Sequence, residues 1–345
     1  MYILKKIISL ILLCLIGVVT FILATDYKPN AIEKLDVANR SDKENAPSKE
    51  MTIGIFNIGY GGLDASQDFF MDGGTGSRSK SPEKTKENVS KSIAFLQKKD
   101  ADVYLLQEVD IDSKRTYNIN EQLMITDTLA TYDYAATPYY KVPFVPVPLR
   151  APYGKVEMNL LTVSRYKMSE GTRYALPIDE SIPNKYFYLD RCLMETVIPL
   201  DNEKELVVIN VHLSAYDKAG KVKEAQLEWI ENYIAAADLE NKYYIFGGDW
   251  NLIMTDTSIE DLENQRDYWL EKPADFKGRG FEWIYDERVN TVRELDAPYK
   301  KGETFERVID GYLVSPNLEV VSVETADLGF ESSDHNPVML EVKFK

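Results

Sequence analysis

"MTIGIFNIGYGG" (51–62) and "ADVYLLQEVD" (101–110) are two apolar runs, each closed by glycine or acidic residues. Between them "SPEKTKENVSKSIAFLQKKDA" (81–101) begins Ser-Pro and continues with helical spacing of its apolar residues. Strand, long loop, helix, strand is the simplest arrangement. Working outward, strands are expected at "LLTVSRY" (160–166), "CLMETVIPL" (192–200), "ELVVINVHLS" (205–214), "YYIFGGDWN" (243–251), "VIDGYLVS" (308–315) and "VMLEVKF" (338–344). A second helix, "KVKEAQLEWIENYIAAAD" (221–238), lies between two of these strands. Many strands with few crossover helices predict an α/β architecture built on mixed sheets.

The chain has 345 residues, 44% of them apolar and 28% charged, enough to build a sizeable core. Its first segment differs from the rest. After Lys5 and Lys6, residues 7–24 carry no charge, a run long enough to cross a bilayer. Ile22-Leu23-Ala24 is a poor match to a small-x-small cleavage site, so an uncleaved anchor is expected over a cleaved signal peptide. The two lysines place the N-terminus inside and the rest of the chain outside the cytoplasm, on a bacterial cell surface. Residues 25–50 are polar and poor in aromatics and read as a stalk; residues 51–345 read as one folded domain.

Only Cys14 and Cys192 are present, and Cys14 lies in the anchor, so the exported part forms no internal disulfide. Cys192 reads as a buried core thiol. Without the anchor's lysines the balance is 38 basic against 56 acidic residues. Tight binding to duplex nucleic acid by counterion release calls for the opposite sign.

The chemistry lies where polar residues end the apolar runs: Asn57, Glu108, His212, Asp249 and Asn251, Asp310, and the pair Asp334-His335. Taken singly each has an ordinary explanation as a turn residue, a solvated carboxylate or a structural histidine. Yet both histidines of the chain fall in this set. Loops at strand ends of α/β sheets are where distant residues converge.

The segments "FNIGYG", "LLQEVD", "NVHLS", "GGDWN", "VIDGYLVS" and "SDHNPV", in that order over residues 51–345, resemble the endonuclease/exonuclease/phosphatase superfamily. That resemblance implies two mixed β-sheets packed as a sandwich with helices on both outer faces, here preceded by one transmembrane helix. It implies Glu108 as principal Mg²⁺ ligand, with Asn57 and Asp334 beside it and Mn²⁺ as a substitute metal. It implies Asp249 as the group that orients or deprotonates water, Asn251 and Asn57 as phosphate contacts, and His335 as the catalytic histidine. Asp310 would orient His335, and His212 would serve as a second acid or phosphate contact.

The substrate would be a phosphoester: nucleic acid, a phospholipid or sphingomyelin headgroup, or a small ester. A non-catalytic surface-binding domain on the same fold is the alternative. Met158-Asn159 stands where many members have Ser-Gly, so the substrate wall is expected to differ there. "YYKVPFVPVPLRAPYG" (139–154) reads as a rim near the site, and residues 252–305 as an insertion beside it. Arg78, Lys80, Arg293, Lys300 and Lys301 are the candidate cations for a substrate headgroup.

Overall fold

The structure is a computed structural model that describes residues 2–215, 217, 220–255, 270–271 and 278–345. In chain order the elements are α1 (Tyr2–Thr25), β1 (Ile32–Lys34), β2 (Val37–Ala38), β3 (Glu50–Asn57), α2 (Pro82–Lys99), β4 (Val103–Asp110), α3 (Glu121–Thr128), β5 (Asp133–Val145), β6 (Gly154–Ser164), β7 (Glu170–Ala175), β8 (Cys192–Pro199) and β9 (Glu205–His212). There follow α4 (Lys221–Ala235), β10 (Lys242–Asp249), β11 (Leu252–Ile253), β12 (Leu270–Glu271), β13 (Glu282–Ile284), β14 (Val292–Arg293), β15 (Glu306–Arg307), β16 (Asp310–Val314), β17 (Leu318–Thr325) and β18 (Val338–Phe344).

Two seven-stranded sheets form the body, with orders β1-β7-β8-β9-β10-β16-β13 and β17-β18-β3-β4-β6-β5-β2. Each contains one parallel pair, β9/β10 and β3/β4, crossed by α4 and α2 respectively, and is otherwise antiparallel. Strand alternation places Ile53, Ile55, Val103, Leu105, Val208 and Ile245 between the sheets. The opposite faces are covered by helices. Phe56, Tyr104 and Leu106 pack on Val89, Ile93 and Leu96 of α2, and Val207, Ile209 and Phe246 pack on Ile230 and Ile234 of α4. Strands buried on both faces are continuous apolar runs in sequence, which is why these four were legible.

α2 starts as the Ser-Pro pair requires: Ser81 caps it, accepting from the Lys84 N–H at 3.1 Å, with Pro82 in the first turn. α1 buries no residue and is long and apolar enough to cross a membrane. Cys192 is fully buried, and burial pushes its thiol up to about 11.

The stalk reading of residues 25–50 is corrected. β1 pairs with β7, β2 pairs with β5, and Ala46 bridges to Leu200, so residues 32–46 form a strap across the edges of both sheets. The strap is fixed by the buried carboxylate of Asp133, which accepts from the backbone N–H groups of Arg40 (2.6 Å), Ser41 (2.7 Å) and Met168 (2.9 Å). Asp133→Ala leaves those donors without their acceptor and should cost about 3 kcal/mol. The expected result in thermal melts is a clear loss for Asp133→Ala and a smaller one for Asp133→Asn, which keeps one oxygen. Equal melting of Asp133→Ala and wild type would show that the strap is not held this way.

Of the expected insertion, residues 256–269 and 272–277 lie outside the described residues. Its described part supplies β13 to one sheet edge, and the segment 292–295 lines a cleft beside the strand ends.

Candidate active site

All the strand-end residues meet at one end of the sandwich. Asn57, His212 and Asp249 are the last residues of β3, β9 and β10. Asp310 opens β16, which runs antiparallel to β10, so Asp249 faces Asp310 on one side and His212 on the other. His335 precedes β18, which runs antiparallel to β3. Glu108 sits where the β4–β6 register shifts, with φ 55°. That left-handed backbone is strained for glutamate, and the Glu108 N–H is held by the Tyr139 hydroxyl at 3.0 Å.

The centre is densely hydrogen-bonded. His335 Nδ1 lies 2.8 Å from Asp310 Oδ2, and the Asp310 N–H in turn donates to Thr291 Oγ1 at 3.1 Å. His335 Nε2 points inward, 3.7 Å from Asp249 Oδ2. His212 Nε2 lies 3.3 Å from the same oxygen, while its Nδ1 is 2.9 Å from the Tyr139 hydroxyl. Since Tyr139 accepts from Glu108, its own hydrogen is free for Nδ1, which leaves His212 the Nε2–H to donate to Asp249. Arg191 donates to the His212 carbonyl at 3.2 Å.

The two histidines are driven apart in acidity. For His335 burial opposes charging, but the carboxylates of Asp310, Asp249 and Asp334 outweigh it and hold the imidazole well above its ordinary range. For His212 burial, with the positive charges of Arg191 and His335, pushes it well below. One histidine is thus cationic and the other neutral, a pairing suited to acid and base roles in one site. Burial also pushes Asp249 up to about 6, and burial with the charge of Asp334 pushes Glu108 up to about 7.

Asn57 is held at both ends of its amide. Its Oδ1 accepts from the Gly59 N–H at 3.0 Å, and its Nδ2 donates to Glu108 Oε1 (3.2 Å) and Asp249 Oδ2 (3.1 Å). The tight turn after β3 engages the oxygen and aims the two amide hydrogens at the carboxylates of Glu108 and Asp249. Asn251 Nδ2 donates to the Leu213 carbonyl at 3.0 Å, its backbone N–H to Asp249 Oδ1 at 2.9 Å, and the residue lines the cleft.

For a hard divalent cation the donor set is Glu108, half-buried at the floor of the cleft, with the buried Asp334. Asp334 is admitted by Gly59, whose φ is 53° and where an added Cβ would fall 2.6 Å from Asp334 Oδ1. The residues fit: burial raises both carboxyls, with the charge of Asp334 adding to the cost at Glu108 and that of Asp249 to the cost at Asp334, and a cation would relieve both. Asp249, Asp310 and His335 also bring ligand atoms within 4.8 Å of one another, but His335 Nδ1 and Asp310 already satisfy each other there.

Sequence reasoning missed Tyr139, Thr291, Ser333 and Lys223. Ser333 Oγ donates to the Asn57 carbonyl at 2.8 Å and accepts from the His335 N–H at 3.1 Å; the buried Lys223 ammonium donates to the Asn251 carbonyl at 2.9 Å. Only the serine stood beside a recognisable segment. Of the candidate cations, Arg78 and Lys80 hold the carbonyls of Pro152 and Ser66, and Lys300 and Lys301 pair with Glu303 and Asp327. Arg293 is buried and clamps the carbonyls of Leu63, Asp64 and Gln67.

A cationic histidine backed by aspartate, facing carboxylates at the strand ends of a two-sheet sandwich, marks a hydrolase of phosphoric esters. Residues 56–335 match the model of the Endonuclease/Exonuclease/phosphatase family, and the chain belongs to that family. Its members are phosphoesterase hydrolases acting on phosphodiester or phosphate bonds, and so is this chain.

Among solved structures, an endonuclease/exonuclease/phosphatase from Beutenbergia cavernae DSM 12333 is 16% identical with TM-score 0.57, covering 86% of this chain and 72% of its own. A family protein from Leptotrichia buccalis C-1013-b is 14% identical with TM-score 0.54, covering 85% and 100%. ANGEL2, described as a 2',3'-cyclic phosphatase, is 13% identical with TM-score 0.56, covering 90% and 99%. No curated protein matches the chain in sequence.

Proposed function

We propose that the chain is a membrane-anchored phosphodiesterase, Mg²⁺-dependent, that works outside the cytoplasm by attack of water on phosphorus. The observation that carries this reading is the meeting of the His335–Asp310 pair, 2.8 Å apart, with the His212–Asp249 pair, 3.3 Å apart, at the polar end of one cleft. Bound at Glu108 and Asp334, Mg²⁺ would draw negative charge from the phosphoryl oxygens.

The protein's own groups do the rest. Asp249, its second oxygen fixed by the Asn251 N–H, orients water and takes its proton; burial makes it a better base than a free aspartate. Nε2–H of His335 faces the phosphoryl group, stabilises the charge that builds there and supplies a proton to the departing oxygen, while Asp310 keeps the imidazole charged and aligned. The second amide hydrogen of Asn251 holds a non-bridging oxygen, Asn57 ties Glu108 to Asp249, and neutral His212 steadies Asp249. The apolar α1, with Lys5 and Lys6 near its start, supports an anchor that leaves the domain outside.

The test uses the full chain in detergent with Mg²⁺ or EDTA, on bis-p-nitrophenyl phosphate, p-nitrophenyl phosphate, plasmid DNA and sphingomyelin vesicles. The expected result is turnover of at least one diester in Mg²⁺ and its loss in EDTA. A folded protein that turns over none of them, or works equally in EDTA, would refute the reading.

A further inference from the structure

The active-site end is only the polar floor of a much larger cleft, about 680 Å³ in volume. Its walls are apolar, formed by side chains such as Phe69, Phe70, Val145, Phe187, Leu189 and Leu295. Met158, at the position where the sequence departs from its relatives' Ser-Gly, adds a thioether. A phosphate needs none of this surface. Asp72, Asn184 and Glu294 interrupt the apolar lining, but apolar side chains predominate above the catalytic carboxylates and histidines, which fits a ligand with a phosphate and a hydrocarbon part.

The place of the cleft in the molecule identifies the source of such a ligand. Two segments, 140–147 and 183–189, form its outer wall, tied together by the Tyr140 hydroxyl donating to the Phe187 carbonyl at 2.9 Å. The outer side of the same wall meets the last turn of α1, where Phe21, Ile22 and Thr25 lie against Phe144, Phe187 and Tyr188. Only residues 26–31 separate the helix from β1, a reach of at most about 20 Å even when fully extended. The strap therefore leaves no long tether. If α1 spans a bilayer, this rim of the cleft sits at the bilayer surface.

The rim is dressed for that position. Leu149 is 85% and Ile182 76% exposed, and Phe144, Val147 and Tyr188 are exposed beside them. Arg150 is exposed next to Leu149, placed to reach lipid phosphates. Asp179 and Glu180 are exposed beside Ile182, so the apolar side chains of the rim, and not its net charge, suit it to a bilayer surface.

We infer that the cleft opens onto the bilayer and that its substrate is a membrane lipid phosphodiester, with the phosphate at His335 and the hydrocarbon along the Phe70–Phe187 wall. This rests on the reading of the site as a phosphodiesterase and of α1 as an anchor. The reaction balances as hydrolysis: the water oxygen bonds to phosphorus, one ester P–O bond breaks, and its oxygen leaves with a proton.

Two p-nitrophenyl phosphodiesters that share a leaving group and differ only in a methyl or dodecyl ester provide the test, with the full chain in phosphatidylcholine vesicles. The dodecyl ester should show at least tenfold higher kcat/KM, and Leu189→Glu should lower the dodecyl-to-methyl ratio toward one. Equal turnover of both esters, or a ratio untouched by Leu189→Glu, overturns the lipid substrate while leaving a phosphodiesterase. No turnover of either ester defeats the phosphodiesterase reading itself, and the lipid substrate with it.

The bilayer contact is read without catalysis. Leu149→Cys in a Cys14→Ser background, carrying an environment-sensitive dye, should shift to the blue in vesicles and be quenched by brominated lipid. Emission unchanged between detergent-free vesicles and unfolded protein in buffer would overturn the membrane-facing cleft.

Discussion

His335→Ala is expected to lower kcat on a diester by roughly 10³- to 10⁴-fold, since it removes both the proton donor and the cation facing the phosphoryl group. The protein should still fold, because His335 is anchored by its backbone: its N–H donates to Ser333 Oγ, and the residue bridges to Val292. Asp310→Asn tests the partner. The amide keeps the shape and the Thr291 contact to the backbone but removes the negative charge that does most to hold His335 cationic. Activity should fall roughly 10²-fold.

The pH profile gives a sharper reading than the rate. A histidine held charged sets an alkaline limb: activity persists until pH rises through its raised pKa and the imidazole loses its proton. Without Asp310's charge the pKa falls, so the limb of Asp310→Asn should move to lower pH than wild type. An unshifted limb, measured as log kcat against pH, would mean that the pair does not act as donor and support.

How much of this was legible in sequence depends on the range of the interaction. The four central strands announced themselves because burial on both faces makes them continuous apolar runs, and their ends announced the site because a polar residue there breaks the run. β1 and β2 could not be seen: two or three residues carry no periodicity, and Ile32 meets its partner Tyr174 only through the tertiary fold. Tyr139 was hidden for a related reason. It lies in a run of aromatics and prolines read as a rim, and it falls at the β5–β6 register shift between Pro138 and Tyr140, where its hydroxyl reaches Glu108 and His212. The direction of the Asn57 amide is set by a turn two residues long, below what residue type alone conveys.

Glu108→Gln separates a metal site from a structural carboxylate, and its two effects have opposite signs. In the metal-free protein Glu108 is pushed up to about 7 by burial and by the charge of Asp334, against an ordinary value of 4.5. Between pH 4.5 and 7 the folded state therefore holds a proton that the unfolded state releases, so stability falls as pH rises through that window. Above it the ionised group costs about 3 kcal/mol. In EDTA, wild type should melt several degrees lower at pH 7.5 than at pH 5, and Glu108→Gln should lose much of that difference and melt higher than wild type at pH 7.5. Mg²⁺ reverses the order, because a cation held by Glu108 and Asp334 stabilises only the folded state. It should raise the melting temperature of wild type more at pH 7.5 than at pH 5 and leave Glu108→Gln nearly unmoved, with turnover lowered roughly 10³-fold, the scale of losing several kcal/mol of charge stabilisation in the transition state. Should Mg²⁺ stabilise both proteins equally, or EDTA melts of the two coincide at pH 7.5, Glu108 would not be the residue on which the cation depends.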